Sequence, residues 1–278
     1  MDKAEGSYMK VLALDYDGVI VDSVMDSLFV SHNAYLKVYR DRKKKNFGCK
    51  PFTFQNWPII KEKYKKEIDY YRSLRPYIRG ATDYGLIQKM MEEGKYIKNQ
   101  QEFDEYRQTA DFDFQNFHDA FYEARREAQQ ESFEGWLSLE PPYKEVVRGI
   151  RKFVQEGIKV MVATSNRREY IARAFPPKYY DIPIDAEDIL DNRFGEDKSS
   201  QMHHIFEKYH VDYRDIYFVD DQLAHLEQTQ KLGIQVFLAG WSYATGQQKK
   251  TAQEKGIPVI ENEERFYPLI KKYLKNIF

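Results

Sequence analysis

Two aspartates separated by one residue follow directly on a short apolar run near the start of the chain. The segment VLALDYDG places Asp15 and Asp17 after four apolar residues and before Gly18. The apolar run predicts a buried β-strand, and the glycine predicts a sharp change of chain direction. The carboxylates therefore lie at the carboxyl end of a strand, the edge at which parallel sheets bind ligands. A turn rich in aspartate and glycine, or a fragment of a calcium-binding loop, would have the same local sequence.

A regular alternation of helical and strand-like segments begins after the proline pair at Pro141 and Pro142. The apolar runs KVMVA, IYFV and QVFLA predict buried strands, and the amphipathic segments between them predict helices. Such alternation is typical of right-handed crossovers in a parallel sheet. We therefore predict an α/β fold, with a Rossmann-like parallel sheet and helices on both of its faces.

The segment between the first strand and this alternating region has a helical pattern almost throughout. Helices are predicted at Val24 to Tyr39, Ile59 to Arg72 and Thr82 to Glu93. A fourth helix carries an apolar stripe at a spacing of three or four residues. The stripe consists of Phe114, Phe117, Phe121, Ala124 and Ala128. We interpret the stripe as core packing, and His118 beside it as a packing histidine.

These patterns predict two domains. Residues 1–23 and 138–278 form a discontinuous Rossmann-like core, and residues 24–137 form an all-helical cap domain inserted between the first two strands of the core. The chain of 278 residues is long enough to bury a hydrophobic core in each.

The composition argues against several classes of partner. There are 43 Lys and Arg residues and 44 Asp and Glu residues, so the net charge of −1 favours neither nucleic acid nor membrane as a partner. Residues 37–79 hold 14 basic and 4 acidic residues, which indicates either a solvated helical face or a surface that attracts an anionic substrate. Cys49 is the only cysteine, and no apolar segment is long enough to span a membrane, so a cytoplasmic protein is predicted.

Polar residues recur at the ends of two later strands, as they do after the first. Thr164 and Ser165 follow the run VMVA, and Asp220 and Asp221 follow the run IYFV. Lys198 lies between these strands, in a loop or in the first turn of a helix. Because the carboxyl ends of parallel strands share one edge of a sheet, these groups can converge with the first aspartate pair in one crevice.

This ordered set of motifs resembles the haloacid dehalogenase superfamily, in particular its phosphoglycolate phosphatase and β-phosphoglucomutase branch. The motifs of the superfamily are an aspartate pair, a Thr or Ser, a Lys or Arg, and a final acidic cluster. The resemblance covers residues 9–21 and 138–275, and the helical block stands where many relatives carry a helical cap. The resemblance implies an enzyme that acts on phosphate esters, with Mg²⁺ as its cofactor and a small phosphorylated molecule as its substrate.

The resemblance also implies a role for each motif residue. Asp15 would be the nucleophile that forms an aspartyl phosphate, and Asp17 would act first as general acid and then as general base. Mg²⁺ would be held by Asp15, by the backbone carbonyl of Asp17, and by Asp220 and Asp221.

Further polar groups would bind the substrate. Thr164, with Ser165 and Asn166 beside it, would hold a phosphoryl oxygen, and Lys198 would balance the charge of the nucleophile and the phosphate. Arg79, in the segment YIRGATDYG, is a candidate for contacting the leaving group. Each residue also has an ordinary structural interpretation. Thr164 would then be a helix cap, and Lys198 and Arg79 would be surface residues.

The last motif departs from the pattern of the superfamily. Relatives often have Gly-Asp followed by a second acid three or four residues later, whereas here Val219 precedes Asp220 and Ala224 occupies the later position. Asp221 would then supply or support the second metal contact, unless it is only the N-cap of the helix that follows.

The leading functional prediction is a Mg²⁺-dependent phosphatase that hydrolyses a small phosphate monoester. A sugar phosphomutase that uses the same aspartyl phosphate is the enzymatic alternative. A non-catalytic protein that binds nucleic acid or another anion through the basic stretch is the alternative of a different class. A dehalogenase would need no general acid at position 17, because a halide leaves without a proton.

Overall fold

The computed structural model describes residues 9–39, 47–195 and 197–275. Within them the chain forms two compact units, one made of the residues up to Asp22 and from Pro142 onward, and the other of Ser23–Pro141. All strands of the described residues belong to the first unit, and the second unit is helical. Part of the basic stretch, residues 40–46, lies outside the described residues.

The first unit is built on a six-stranded sheet in which every pair of neighbouring strands is parallel. Its strands are β1 Val11–Leu14, β2 Lys159–Ala163, β3 Ile189–Leu190, β4 Ile216–Asp220, β5 Gln235–Ala239 and β6 Val259–Ile260. Their order in the sheet is β3-β2-β1-β4-β5-β6. The predicted α/β fold with a parallel sheet is confirmed, but the sequence analysis did not predict the two-residue strand β6.

The second unit, which we call the helical unit, has seven α-helices in its described residues. They are α1 Val24–Val38, α2 Trp57–Lys63, α3 Lys65–Leu74, α4 Ala81–Glu93, α5 Gln100–Thr109, α6 Phe114–Glu131 and α7 Phe133–Leu137. The prediction of a single helix from Ile59 to Arg72 is wrong in one respect, because two helices occupy this range. The backbone of Tyr64 leaves the helical conformation, with φ −114° and ψ 34°, and separates α2 from α3. The helices α5 and α7 were not expected from the sequence.

The aromatic stripe of α6 forms part of the core of the helical unit, as predicted. Its buried members are Phe117, Phe121, Ala124 and Ala128. Phe114, at the start of the helix, is half-buried. The interpretation of His118 as a packing residue is wrong, because its side chain is 47% exposed and its Nδ1 lies 3.1 Å from Oδ1 of Asp119. Consecutive residues of a helix are rotated by about 100° about its axis. The residue that follows the buried Phe117 therefore does not lie on the buried face.

Helices cover both faces of the sheet. They are α8 Lys144–Gln155, α9 Arg168–Ala174, α10 Lys198–Tyr209, α11 Leu223–Gln230, α12 Gly246–Glu254 and α13 Phe266–Lys275. On one face, alternate strand residues such as Ala13, Met161 and Phe218 form a continuous core with residues of α10, α11 and α12. On the other face, Phe237 of β5 meets Tyr273 of α13. Burial on both faces explains why the strands are apolar at nearly every position.

No helix among the described residues combines the length and the apolar character that a membrane crossing requires.

Candidate active site

The site predicted from the sequence lies where the strand order of the sheet reverses. β1 pairs with β2 on one side and with β4 on the other. Asp15 follows β1, Thr164 follows β2 and Asp220 ends β4, and since these strands are parallel, all three residues lie at the carboxyl edge. The connections from the two sides of β1 lead toward opposite halves of the sheet, which opens a crevice for a ligand at this edge.

The loop after β1 is a tight turn that depends on Gly18. This glycine has a positive φ of 79°, and its N–H donates to the carbonyl oxygen of Val21 at 2.8 Å. A Cβ at this position would lie 2.8 Å from Cγ of Asp221 and 2.8 Å from Oγ of Ser242. A side chain would therefore clash, and its absence lets the backbone beyond Asp17 approach the loop that follows β4.

A buried ion pair joins the first motif to the third. Nζ of Lys198 lies 2.8 Å from Oδ1 of Asp15 and 2.6 Å from the carbonyl oxygen of Ala163, and both charged side chains are only 8% exposed. Burial raises the pKa of Asp15 to about 6; the charges of Asp220 and Asp17 also raise it, while Lys198 lowers it. A further cation beside Asp15 would favour its ionised form.

Lys198 is the first residue of α10, and the next turn of this helix is hydrogen-bonded to the segment that follows β2. Burial alone lowers the pKa of Lys198, but the charges of Asp15 and Asp220 outweigh burial and raise it, so the side chain is a cation. Gln201 donates from Nε2 to the carbonyl oxygen of Thr164 at 2.8 Å. Sequence reasoning missed Gln201, although its spacing of three residues from Lys198 puts both side chains on one helix face.

Three buried carboxylates at this edge form a group that fits a divalent cation. One carboxylate oxygen each from Asp15, Asp220 and Asp221 lies within 4.8 Å of the others. Mg²⁺ prefers oxygen ligands at about 2.1 Å, so its opposite ligands are about 4 Å apart. The like charges repel one another in so small a volume unless a cation lies between them. The group does not include the carboxylate of Asp17, and a metal contact through its backbone carbonyl stays a prediction.

Asn166 connects the second motif to the aspartate pair. Its Nδ2 donates to Oδ2 of Asp17 at 2.8 Å, and its backbone N–H donates to Oγ1 of Thr164 at 3.0 Å. The hydroxyl of Thr164 therefore shapes this loop and is not the N-cap of α9, which is Arg167. Ser165, between the two, is exposed. The contact between Asn166 and Asp17 was not expected from the sequence.

Two donors hold the carboxylate of Asp220 through its two oxygens. The backbone N–H of Gln222 donates to Oδ1 at 2.8 Å, and Nδ1 of His225 lies 3.0 Å from Oδ2. Burial raises the pKa of Asp220, but the charge and hydrogen bond of His225 outweigh burial and hold that pKa below its usual range. Sequence reasoning missed His225, although its place in the first turn after β4 was a signal. The N-cap of α11 is Gln222 and not Asp221.

Arg79, the candidate contact to the leaving group, belongs to the helical unit. Its Nη2 binds both carboxylate oxygens of Asp104, and its backbone N–H donates to Oδ2 of Asp83 at 2.9 Å. The Arg79 side chain is 48% exposed. A substrate would have to compete with Asp104 for this guanidinium group, and the substrate-binding role stays a prediction.

Comparison with known proteins assigns the chain to a family. A family model of haloacid dehalogenase-like hydrolases matches residues 9–233, and the chain belongs to this family. A search of curated proteins finds no match.

Solved structures with the same fold span nearly the whole chain at low sequence identity. A predicted phosphoglycolate phosphatase from Haemophilus somnus is 14% identical, with a TM-score of 0.58 and coverage of 94% of this chain and 98% of that one. A predicted phosphatase from Clostridium acetobutylicum is 12% identical, with a TM-score of 0.59 and coverage of 96% and 100%. A HAD family hydrolase from Deinococcus radiodurans, solved with bound phosphate and sodium, is 9% identical, with a TM-score of 0.55 and coverage of 96% and 97%. At these identities the likeness shows the fold.

Proposed function

We propose that the protein is a Mg²⁺-dependent phosphatase that hydrolyses a small phosphate monoester through an aspartyl phosphate on Asp15. One arrangement supports this proposal. The buried carboxylate of Asp15 lies beside the ammonium group of Lys198 and within one acidic group with Asp220 and Asp221. A second acid, Asp17, follows two residues later. Such a site supplies a nucleophile, an acid and the positive charge that an anionic substrate requires.

In the first half-reaction, a carboxylate oxygen of Asp15 attacks the phosphorus atom of the ester. The bond from phosphorus to the ester oxygen breaks as the bond to Asp15 forms, and Asp17 donates a proton to the departing oxygen. Lys198 orients Asp15 through its contact with Oδ1. When bound by Asp15, Asp220 and Asp221, Mg²⁺ supplies positive charge that stabilises the phosphoryl oxygens.

In the second half-reaction, Asp17 is a carboxylate and takes a proton from water. The water oxygen attacks phosphorus, the bond from phosphorus to Asp15 breaks, and inorganic phosphate leaves. The contact from Nδ2 of Asn166 holds Asp17 in place for both proton transfers. Thr164 accepts a hydrogen bond from the Asn166 backbone through Oγ1, so its own hydroxyl hydrogen can be donated to a phosphoryl oxygen.

Removal of divalent cations should abolish hydrolysis, because the carboxylates of Asp15 and Asp220 would then repel the substrate. The experiment is a turnover screen across small phosphate esters, repeated after treatment with EDTA and after addition of Mg²⁺ or Ca²⁺. We expect Mg²⁺ to restore activity and Ca²⁺ not to, because phosphoryl transfer requires the tighter octahedral geometry of Mg²⁺. Full turnover in EDTA would contradict the metal assignment.

The affinity for Mg²⁺ should fall as the pH falls through the pKa of Asp15. In the metal-free protein burial raises that pKa to about 6, and only the ionised carboxylate binds the ion. Between about pH 7 and about pH 5 the affinity should therefore drop about tenfold, while above pH 7 it should be nearly constant. Calorimetric titration at each pH measures this. The Mg²⁺ affinity of the Asp15→Asn variant should lack this pH dependence. A wild-type affinity that is the same at pH 5 as at pH 7 would disprove the expectation.

A further inference from the structure

We propose that His225 is a positioning residue which fixes the orientation of the Asp220 carboxylate and thereby sets the preference of the acidic group for Mg²⁺ over Ca²⁺. This inference rests on the proposed function, because it requires a divalent cation at Asp15, Asp220 and Asp221. It assigns a task to the side chain that directly follows Ala224, the position at which the last motif of this chain lacks the second acid of its family.

The hydrogen bonds at Asp220 leave its carboxylate little freedom to rotate. Asp220 is fully buried, Oδ1 accepts the N–H of Gln222 at 2.8 Å, and Oδ2 lies 3.0 Å from Nδ1 of His225. An ionised carboxylate only accepts hydrogen bonds, so Nδ1 is the donor in this pair. One donor on each oxygen fixes the carboxylate plane about the Cβ–Cγ bond. The remaining lone pairs are then held in set directions for a metal ion.

His225 acts from outside the coordination sphere. The ligand atoms that lie within 4.8 Å of one another belong to the three aspartates, and His225 is not a member of this group. Its backbone carbonyl accepts the Thr229 hydroxyl at 2.9 Å, within the helix that begins directly after β4. The imidazole is therefore attached to a rigid element on one side and to a metal-binding carboxylate on the other.

A competing cation makes this hydrogen bond necessary. Nζ of Lys198 lies 3.9 Å from Oδ2 of Asp220, the same oxygen that His225 holds. Without the imidazole, Oδ2 can turn toward the ammonium group, because a buried carboxylate is stabilised by any donor within reach. Such a rotation would change the directions in which the two oxygens of Asp220 face the carboxylates of Asp15 and Asp221.

The two ions should respond differently to this loss of orientation. Mg²⁺ requires near-octahedral geometry with oxygen ligands at about 2.1 Å, whereas Ca²⁺ accepts irregular arrangements at about 2.3–2.6 Å. Loss of a hydrogen bond that orients a ligand typically weakens metal binding by about 10- to 100-fold. Removal of the His225 side chain should therefore weaken the binding of Mg²⁺ more than the binding of Ca²⁺.

Calorimetric binding of Mg²⁺ alone and of Ca²⁺ alone tests the proposal without an activity measurement. We expect His225→Ala to raise the Kd for Mg²⁺ by about 10- to 100-fold and the Kd for Ca²⁺ by less than about threefold. In His225→Asn, the amide nitrogen can stand close to where Nδ1 stood, so this variant should restore most of the Mg²⁺ affinity. The matched control is His203→Ala, since His203 also faces a carboxylate, with Nε2 3.2 Å from Oε1 of Glu207 on α10. It should bind both ions as the wild type does.

The outcomes separate this inference from the proposed function. If the wild type binds neither ion, the metal-dependent function fails, and the inference fails with it. If the wild type binds Mg²⁺ and His225→Ala binds each ion as tightly as the wild type does, only the inference is overturned. Equal losses for the two ions without recovery in His225→Asn would show that His225 merely supports the fold. If His225→Ala does not fold, as judged by thermal unfolding, His225→Asn decides, and a loss of Mg²⁺ affinity in that folded variant overturns the proposal.

Discussion

Asp15→Asn should lose phosphatase activity by about 10⁶-fold, the effect typical of removing the nucleophile of a covalent mechanism. An amide oxygen is a poor nucleophile toward phosphorus, and the substitution also removes one of the three carboxylates of the acidic group. The measurement is kcat/KM for the best substrate of the turnover screen. Activity within tenfold of the wild type would exclude Asp15 as the nucleophile.

The environment of Asp15 should let this variant fold. Asparagine has nearly the same shape, and its amide oxygen can still accept the hydrogen bond from Nζ of Lys198. Burial, together with repulsion from Asp220 and Asp17, raises the pKa of Asp15 in the wild type. A neutral side chain avoids both of these costs, although it also gives up the attraction of Lys198. We therefore expect Asp15→Asn to stay folded by circular dichroism. Asp212→Asn makes the same chemical change at an exposed side chain and should retain full activity.

Asp17→Asn should affect substrates according to their leaving groups. An alkyl phosphate leaves as a strongly basic alkoxide and needs a proton, so its turnover should slow by about 10²- to 10⁴-fold. A nitrophenyl phosphate has an acidic leaving group that needs little protonation, so Asp15 should still be phosphorylated. The second step would then lack its base, because the amide cannot take a proton from water.

The expected result with nitrophenyl phosphate is a burst of phenol followed by very slow turnover. Mass spectrometry should find one phosphoryl group on the peptide that contains Asp15, and the Asp15→Asn variant should show neither the burst nor the added mass. The amide oxygen of Asp17→Asn can still accept from Nδ2 of Asn166, so the loop geometry should be kept. Steady turnover at the wild-type rate, or a phosphoryl group on another residue, would overturn the mechanism.

The sequence contains enough information to place the main groups at one edge of the sheet. The strands VLAL, KVMVA and IYFV can be recognised because strands buried on both faces are apolar at nearly every position. Once such strands are parallel, their carboxyl ends must share an edge. Asp15, Thr164 and Asp220 are therefore brought together by chain direction alone.

The short or strongly polar elements could not be predicted in the same way. β6 has two residues, too few for a periodic pattern, and it exists because it pairs with β5. α5 is rich in charged and amide side chains and buries only Phe103 and Tyr106. Its hydrophobic pattern is therefore too weak to distinguish it from a loop, and the helix is stabilised by the tertiary packing of these two rings.

The sequence by itself determined the α/β architecture, the acidic pair after β1 and the presence of a lysine and a second acidic pair at the same edge, since these follow from apolar runs and from the direction of the chain. Only the tertiary structure decided the partners of each side chain. Asn166 meets Asp17 across 149 positions of the chain, and Lys198 meets Asp15 across 183. Even the short-range contact of His225 with Asp220 depends on how the backbone turns between β4 and α11. Such contacts depend on side-chain rotamers and on packed neighbours distant in sequence, and periodicity carries no information about either.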